Sequence, residues 1–401
     1  MSTSDRRGGA EGVALGLRDG YAQAGHGSWL AVGYPSRNDP AVLTLSPERQ
    51  RVRSMWDRSR GREEFRFPAT RTLLDLPPTR PDVVHAHNLH GWYFDLRELI
   101  RLSHEVQLHV TMHDNWLLTG HCAHSFTCER WRSGCGSCPD LGIYPAISRD
   151  ATARNWNTKR EIYRQSHLHV AAPSQWLLSR MEESMLTAAS SRVIRNGVDL
   201  ATFCPADRRA ARGALDLPQE RPILLFAAAG IVDNPWKDWP TLKAAFQQLV
   251  DVWPDPSVPL LVGLGDDPEI ASDNPNIRLL PFVSDPDAVA RVYHAADIYV
   301  HAARADTFPT TVLEALACGL PVVATAVGGI PEQVKTSGPD ATGVLVPPAD
   351  PRALASALTS LLSDPVRRTS VGEAAANSAR AEFDMQMTTA AYLRWFEETR
   401  C

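Results

Sequence analysis

The sequence predicts an α/β protein with two domains, each built around a mostly parallel sheet. Short apolar runs typical of buried parallel strands alternate along the chain with segments of helical periodicity, as in βαβ units. The chain has 401 residues, enough for two domains that each bury their own core. The runs that predict strands are DVVHAH, LHVTMH, LHVAAPS, PILLFAAAG, VPLLVGLG, DIYVHAA and PVVATAV.

The domain boundary is predicted within the polar, arginine-rich stretch RNGVDLATFCPADRRAARGALDLPQERP. We place it at Phe203–Cys204, so that the first domain covers residues 1–203 and the second covers residues 204–385. Residues 386–401 form a separate C-terminal segment, which contains an apolar helical pattern from Met387 to Phe396.

Composition narrows the class of protein. The net charge of −5 gives no signature of nucleic-acid binding. The start, MSTSDRRGGAE, lacks the apolar core of a signal peptide. The longest apolar run, Ile223 to Val232, is too short to span a bilayer and is typical of a buried strand that enters a turn. We therefore expect a soluble, cytoplasmic enzyme.

The segment DTFPTTVLEALACGLPVVATAVGG contains the most informative pattern of the chain. Asp306 precedes a predicted helix that begins around Pro309-Thr310-Thr311, and Glu314 projects from the early turns of that helix. Gly319 marks its end, and PVVATAV follows as a buried parallel strand. Backbone N–H groups at a helix start attract phosphate, and carboxylates beside them suit a hydroxyl-rich ligand. The pattern indicates a nucleotide-sugar site, although Asp306 could simply cap the helix and Glu314 could be a solvated helical residue.

This segment resembles the acidic-x7-acidic signature of the GT4 family of retaining glycosyltransferases. Further motifs similar to the landmarks of that family occur in order along most of the chain. They are Gly8-Gly9-Ala10-Glu11, DVVHAHN (Asp82–Asn88), TMHDNW (Thr111–Trp116), APSQW (Ala172–Trp176) and VIRNGVDLATFCP (Val193–Pro205).

The resemblance implies a GT-B fold, in which two Rossmann-like domains face each other across a cleft. It implies that the C-terminal helix crosses back onto the first domain. The donor would be a nucleotide-diphosphate sugar bound by the second domain, and the acceptor a saccharide or a lipid-linked molecule. Catalysis in such enzymes needs no cofactor or metal, and the biological setting would be polysaccharide or glycoconjugate biosynthesis.

The resemblance also suggests roles for individual residues. Glu314 would hold the ribose and Asp306 the hydroxyls of the donor sugar. Lys237 and the loop of Gly8 and Gly9 would meet the diphosphate. The segment at the helix start, Phe308, Pro309, Thr310 and Thr311, would assist them through its backbone.

The sequence departs from the family pattern at three places. Asp306 stands where the family most often has Glu. The arginine that usually accompanies the phosphate-binding lysine is absent before Lys237, with Gly230-Ile231 about where it should be. No apolar run precedes Gly8-Gly9, so we expect that the first strand is missing or that the coding sequence begins upstream, and we favour the second explanation. Lys237 itself could be an exposed lysine at a helix start.

Histidines cluster in the first half of the chain, at positions 85, 87, 90, 109, 113, 121 and 124. His113 ends a predicted strand and, by resemblance, occupies the position of the active-site histidine of the family, near the transferred sugar. An imidazole there can hydrogen-bond a sugar hydroxyl or the acceptor. We interpret His87, at the end of the preceding strand, as structural.

Four cysteines occur close together with the spacing C-x5-C-x6-C-x2-C, namely Cys122, Cys128, Cys135 and Cys138. Clustered cysteines in a cytoplasmic enzyme suggest a metal site, and four thiolates match structural zinc, with His121 and His124 as alternative ligands. A similar insert occurs in a colanic-acid-type subgroup of GT4 enzymes. Unligated thiols and redox pairing are the alternatives. Cys204, Cys318 and Cys401 are interpreted as ordinary residues.

Residues 47–72 are dense in arginine, with Trp56, Phe65 and Phe67 interleaved. This pattern indicates a surface that contacts anionic lipid or a lipid-linked acceptor. A solvated loop is the alternative, because Asp57, Glu63 and Glu64 dilute the charge.

Two other functional classes stay open from the sequence. A GT-B relative could act on the sugar nucleotide without an acceptor, as an epimerase or a hydrolase. A non-catalytic, metal-stabilised binding module would explain the absent arginine and the missing first strand, but the pair of Asp306 and Glu314 favours an enzyme.

Overall fold

The computed structural model describes residues 1–6, 8–45, 59–63, 67–268 and 274–400. The chain divides into two compact units, the first made of Met1–Arg195 with Thr388–Cys401 and the second of Asn196–Met387. The boundary lies before the predicted position of 203/204. The reason is that Val198 donates its backbone N–H to Phe383 O at 2.8 Å, which ties this part of the chain to the second unit.

The strands are β1 (Ser2–Ser4), β2 (Leu30–Tyr34), β3 (Val42–Thr44), β4 (Val83–Ala86), β5 (Gln107–Thr111), β6 (His169–Ala172), β7 (Ser190–Val193), β8 (Ile223–Ala227), β9 (Leu260–Leu264), β10 (Ile277–Leu280), β11 (Ile298–His301), β12 (Val322–Thr325) and β13 (Gly343–Val346). The α-helices are α1 (Gly9–Gln23), α2 (Glu98–Glu105), α3 (Thr152–Arg164), α4 (Gln175–Glu182), α5 (Arg208–Ala214), α6 (Trp239–Asp251), α7 (Pro286–Ala295), α8 (Thr310–Ala317), α9 (Pro351–Leu362), α10 (Pro365–Glu382) and α11 (Met385–Glu398). In the part of the chain described, no helix is both long enough and apolar enough to cross a membrane.

The first unit has an entirely parallel sheet in two parts, β3-β2-β1 and β4-β5-β6-β7. The backbone of Met1 joins them, because its nitrogen donates to His85 O at 2.6 Å and its carbonyl oxygen accepts from His87 N at 3.0 Å. The strands therefore follow the order 3-2-1-4-5-6-7, which reverses direction between β1 and β4. Such a reversal is where open α/β sheets form a crevice for ligands.

The prediction that the first strand is missing is wrong. Ser2–Ser4 form β1, with Ser2 opposite Val32 and Ser4 opposite Tyr34. No apolar run indicates this strand in the sequence, because backbone pairing holds it in place and only Ser2 of its three residues is buried. Asp5, directly after β1, fixes its end by accepting hydrogen bonds from the backbone N–H groups of Ser36 and Arg37 at 2.6 and 2.9 Å. An upstream start of the coding sequence stays a prediction.

The second unit has a six-stranded parallel sheet in the order β10-β9-β8-β11-β12-β13. This is the Rossmann order, and its direction reverses between β8 and β11. The central strands are buried along their whole length, as the apolar runs predicted. Helices α6 and α9 cover one face through Leu242, Phe246 and Leu358. Helices α7, α8 and α10 cover the other face.

A row of three histidines lies across the first sheet, beneath the C-terminal part of α11. His85, His109 and His169 occupy matching positions on the neighbouring strands β4, β5 and β6. The ring of Trp395 meets that of His109 edge-on, with 4.5 Å between centroids. Tyr392 lies 4.6 Å from His85 by the same measure. The C-terminal segment, Thr388–Cys401, thus belongs to the first unit and completes its core.

Burial keeps this row of histidines uncharged. It lowers the pKa of His109 to about 3, assisted by the nearby charges of His169 and Arg192. It also lowers the pKa of His85 well below its usual value and that of His169 in the same direction. The three histidines of the unfolded chain therefore bind protons as the pH falls through 6.5, whereas the same histidines in the folded unit stay unprotonated.

We expect acid to destabilise the first unit through this row. The stability lost should begin as the pH falls through 6.5 and grow towards pH 4. His109→Gln removes one histidine that is protonated in the unfolded chain but not in the folded one. It should therefore reduce the loss in the free energy of unfolding between pH 7 and pH 4 by about 3 kcal/mol. Chemical denaturation at several pH values measures it, with exposed His104→Gln as the matched control. Equal acid losses in wild type and His109→Gln would contradict this explanation.

Candidate active site

The two loops at the reversal point of the second sheet bring Lys237 and Asp306 together. One loop follows β8 and the other follows β11, so both leave the carboxyl ends of adjacent strands. Backbone hydrogen bonds join the loops, from Arg304 N to Trp236 O at 2.9 Å and from Asp238 N to Ala302 O at 3.0 Å. The position of the lysine is therefore fixed to the strand that leads into Asp306.

Lys237 and Asp306 form a largely buried ion pair. Nζ of Lys237 lies 2.6 Å from Oδ2 of Asp306, and the two side chains are 13% and 17% exposed. Burial alone would raise the pKa of the Asp306 carboxyl, but the charge of Lys237 and a hydrogen bond from His301 outweigh it, so the pKa lies well below its usual range. Both alternatives from the sequence are excluded: Lys237 is not an exposed lysine, and Pro309, not Asp306, is the N-cap residue of α8.

A glycine in the loop after β12 lets a third segment press against Asp306. Gly328 has a φ of +56°, in the left-handed region that favours glycine. A Cβ atom at this position would stand 1.7 Å from the carbonyl oxygen of Asp306. The backbone at Asp306 is thus held by close packing against Gly328.

Helix α8 presents free N–H groups and a buried carboxyl. The N-cap position is Pro309, which has no side-chain acceptor, so within the described part of the chain the first N–H groups of the helix lack a side-chain cap. Phe308 packs into the core, so only its backbone can serve a ligand. In the second turn, Oε2 of Glu314 accepts a hydrogen bond of 2.8 Å from the hydroxyl of Tyr293.

Glu314 is therefore not a solvated helical residue. Burial raises the pKa of its carboxyl to about 7, although the hydrogen bond from Tyr293 acts in the opposite direction. Such a group changes charge close to neutral pH, as groups at functional sites often do.

The region of the absent arginine contains open space. Gly230 has a φ of +72°, and a Cβ atom there would meet nothing within 4 Å. The backbone N–H groups of the next two residues point to another partner: Ile231 N and Val232 N each donate to Oδ2 of Asp266 at 2.8 Å. Arg304 is a cation on the loop that is hydrogen-bonded to the loop of Lys237; its guanidinium hydrogen-bonds Asp238 at 3.3 Å, and its side chain is 54% exposed.

The predicted residues of the first unit gather at the reversal between β1 and β4. Gly8 is the N-cap of α1 in an extended conformation, and Gly9 is the first helical residue, with open space where a side chain would be. At the ends of β4 and β5, Nδ1 of His87 lies 2.9 Å from Nε2 of His113. Burial lowers the pKa of His113 to about 4 and that of His87 well below its usual value, so both rings are neutral.

The aspartate after His113 is held in place by two partners. Oδ2 of Asp114 lies 2.8 Å from Nε2 of His90, and its Oδ1 accepts from the backbone N–H of Trp116 at 2.8 Å. Below it, the ammonium of Lys159 donates to the carbonyl oxygen of Trp116 at 2.7 Å and lies 3.7 Å from the centre of a Trp116 ring. The loop that carries His113 is thus rigidly anchored.

The cysteine cluster does not support the predicted zinc site. Among the residues that the structure describes, no group of three or more His, Cys, Asp or Glu side chains is arranged to hold a metal ion. Burial raises the pKa of the Cys122 thiol to about 12 and that of Cys135 to about 11. Sγ of Cys135 accepts from Gly120 N at 3.3 Å, and Sγ of Cys138 lies 3.4 Å from Nε2 of His121.

The arginine-rich segment 47–72 lies largely outside the described residues, and Trp56 and Phe65 are among those that the structure does not describe. In the described part, Phe67 is buried, and the 3₁₀ helix Pro68–Asp75 buries Leu73 and Leu74, whereas Arg60 and Arg71 are exposed.

Two parallel α/β units, with a lysine–aspartate pair and a buried glutamate at the reversal point of the second, define a glycosyltransferase of the GT-B fold. Residues 7–202 match the model of Glycosyltransferase Family 4, and residues 221–364 match that of Glycosyl transferases group 1. Together the two matches span most of the chain, which belongs to this family of glycosyltransferases. It is 26% identical over 364 residues to the putative colanic acid biosynthesis glycosyl transferase WcaC of Escherichia coli, covering 82% of this chain and 83% of that protein.

Solved structures share the fold over almost the whole chain. Sucrose-phosphate synthase of Thermosynechococcus elongatus has a TM-score of 0.68 at 19% identity, covering 98% of this chain and 93% of its own. HepE of Anabaena, solved in complex with UDP and glucose, has a TM-score of 0.67 at 16% identity, covering 99% of this chain and 98% of its own.

The sequence analysis missed four side chains of this site. They are Tyr293, Tyr299, His301 and Arg304. His301 was detectable in principle, since a histidine that ends a buried apolar strand just before Asp306 is unusual. The tyrosines were not, because their contacts depend on which faces of α7 and β11 meet α8.

We expect Glu314→Gln to be more stable than wild type above pH 7 and equal to it below pH 4.5. Because burial raises the folded pKa of Glu314 from 4.5 to about 7, its stabilising contribution is present below 4.5 and lost as the pH rises through 7. At pH 8 the difference should reach about 3 kcal/mol in the free energy of unfolding. Exposed Glu373→Gln in α10 is the matched control. A difference that does not change with pH would refute the assignment.

Proposed function

We propose that this protein is a retaining glycosyltransferase that binds a nucleotide-diphosphate sugar at the reversal point of its second unit. The observation that carries the proposal is the Lys237–Asp306 pair at the carboxyl ends of β8 and β11, beside the uncapped start of α8. Ligands of open α/β sheets bind at this position, and helix starts bind phosphate.

Each residue has a distinct part in this proposal. Lys237 meets the diphosphate, assisted by the first N–H groups of α8 at Thr310 and Thr311. Arg304 supplies the second cation in place of the absent arginine, since it stands on a loop tied to that of Lys237. Glu314 binds the ribose hydroxyls, and Asp306 binds hydroxyls of the donor sugar.

The first unit would receive the acceptor. His113 is neutral and anchored through His87, so it can accept or donate one hydrogen bond to a sugar hydroxyl without changing charge. Gly8 and Gly9 leave the start of α1 open to an anionic group. The relative in Escherichia coli is named for the biosynthesis of a polysaccharide, which supports a saccharide or lipid-linked acceptor.

The proposed chemistry is displacement on one face of the sugar. The bond between the anomeric carbon and the diphosphate oxygen breaks, and its electron pair stays on the phosphate. The acceptor hydroxyl forms the new bond on the same face, and the leaving phosphate takes its proton. Lys237 and Arg304 would stabilise the charge that develops on the diphosphate, which is the largest demand of this reaction on the protein.

A thermal-shift screen tests donor binding. UDP, GDP, ADP and dTDP, each with its common sugar conjugates, are added to wild type, Glu314→Ala and Lys237→Ala. We expect one nucleotide to raise the melting temperature of wild type by several degrees, since a ligand at 100 times its Kd adds about 2.7 kcal/mol. Both variants should lose most of this shift, whereas exposed Glu373→Ala should keep it. No shift with any nucleotide would refute the proposed function.

We further propose that the enzyme works in the cytoplasm and touches the membrane through residues 47–72. The density of arginines with Trp56 and Phe65 supports it. Vesicles that contain anionic lipid should co-sediment the protein, and vesicles of neutral lipid should not. Equal recovery with both kinds of vesicle would end this proposal.

A further inference from the structure

One buried imidazole contacts both members of the Lys237–Asp306 pair. His301 is the last residue of β11, and its side chain is fully buried. Its Nε2 lies 3.2 Å from Oδ2 of Asp306 and 3.3 Å from Nζ of Lys237. Its other nitrogen, Nδ1, lies 3.1 Å from the hydroxyl of the buried Tyr299.

This imidazole carries a single proton. Burial and, to a smaller extent, the charge of Lys237 lower the pKa of His301 to about 4, against the opposing effect of Asp306. The neutral ring therefore has one N–H donor and one bare acceptor nitrogen at neutral pH.

The two tautomers serve different partners. With the proton on Nε2, the ring donates to Asp306, and Tyr299 donates its hydroxyl proton to Nδ1. With the proton on Nδ1, Nε2 accepts from Lys237, and the Tyr299 hydroxyl can instead turn to Ala227 O, which lies 3.5 Å away. The ring can thus satisfy either the carboxylate or the ammonium without any movement of heavy atoms.

Binding of a diphosphate would favour the tautomer of His301 that donates to Asp306. The Lys237 ammonium donates to Asp306 in the structure, and a diphosphate would draw it away. A carboxylate that is 17% exposed would then lose its charged partner, which is strongly unfavourable. The Nε2–H of His301 is the donor already in place to take over.

We propose that His301 is a positioning residue that holds Asp306 in place when Lys237 turns to the diphosphate. The inference rests on the proposed function, since it assigns Lys237 to the diphosphate. Tyr299 orients the ring from the far side. Because aspartate is one methylene shorter than glutamate, the carboxylate stays close enough to the end of β11 for His301 to reach it.

Two substitutions separate the roles of the ring nitrogens. His301→Gln places an amide near the position of Nε2 and should keep the contact with the pair. His301→Asn places an amide near Nδ1 and should keep only the contact with Tyr299. Tyr299→Phe, which preserves the ring volume, provides a third variant should either substitution at 301 reduce folding, and melting temperatures are recorded for all three.

The readout is the labelling of Lys237 by an amine-reactive reagent, followed by peptide mass spectrometry, with and without inorganic pyrophosphate. In wild type and His301→Gln, pyrophosphate should protect Lys237. His301→Asn should need about tenfold more pyrophosphate for half protection, as expected for the loss of one charge-assisted hydrogen bond to Asp306, and should label more slowly without it, because Asp306 then depends more on Lys237. Tyr299→Phe should fall between the two.

Protection in His301→Asn equal to wild type, or rescue by Asn and not by Gln, would overturn the positioning role. If pyrophosphate fails to protect Lys237 even in wild type, the assignment of Lys237 to the diphosphate fails. In that case the labelling rates without pyrophosphate still decide whether Nε2 of His301 holds the pair.

Discussion

The buried ion pair of Lys237 and Asp306 is the interaction on which the candidate site depends. Two opposite charges this far from water are stable only when both have further partners and fixed backbones. The protein meets this requirement with hydrogen bonds between the two loops, with His301 beneath the pair and with the close approach of Gly328. The start of α8 has no side-chain cap, because Pro309 occupies its N-cap position.

The first unit meets a different constraint, which is the continuity of its sheet. A three-residue strand without apolar side chains joins two groups of parallel strands, and Met1 supplies the backbone contacts on its far edge. The histidines at the ends of β4 and β5 owe their neutrality to burial against this sheet. The side chains of His113 and His87 therefore form a polar but uncharged surface, which suits the binding of hydroxyl groups better than the binding of ions.

The sequence predicted the larger features well because they depend on local patterns. Alternating strands and helices, the parallel sheets and the helix that begins after Pro309 all follow from periodicity and turn residues. The proximity of Lys237 and Asp306 was suggested by family resemblance, and the structure supplies the contact itself. The short strand β1 was not predicted, because its stability comes from backbone pairing and not from its own side chains. The contacts of Tyr293 with Glu314 and of His301 with the ion pair arise from packing between separate elements, which no local pattern records.

The division of the chain has a consequence for the order in which the protein matures on the ribosome. The second unit is continuous in sequence, from Asn196 to Met387, whereas the first requires residues from both ends of the chain. As synthesis proceeds, the second unit can therefore complete its core before the first, even though the first begins to emerge earlier. Until the residues of α11 that carry Tyr392 and Trp395 leave the ribosome, the histidine row stays without its cover. Before that point, the N-terminal unit of the nascent chain exposes the side of its sheet that Tyr392 and Trp395 later cover.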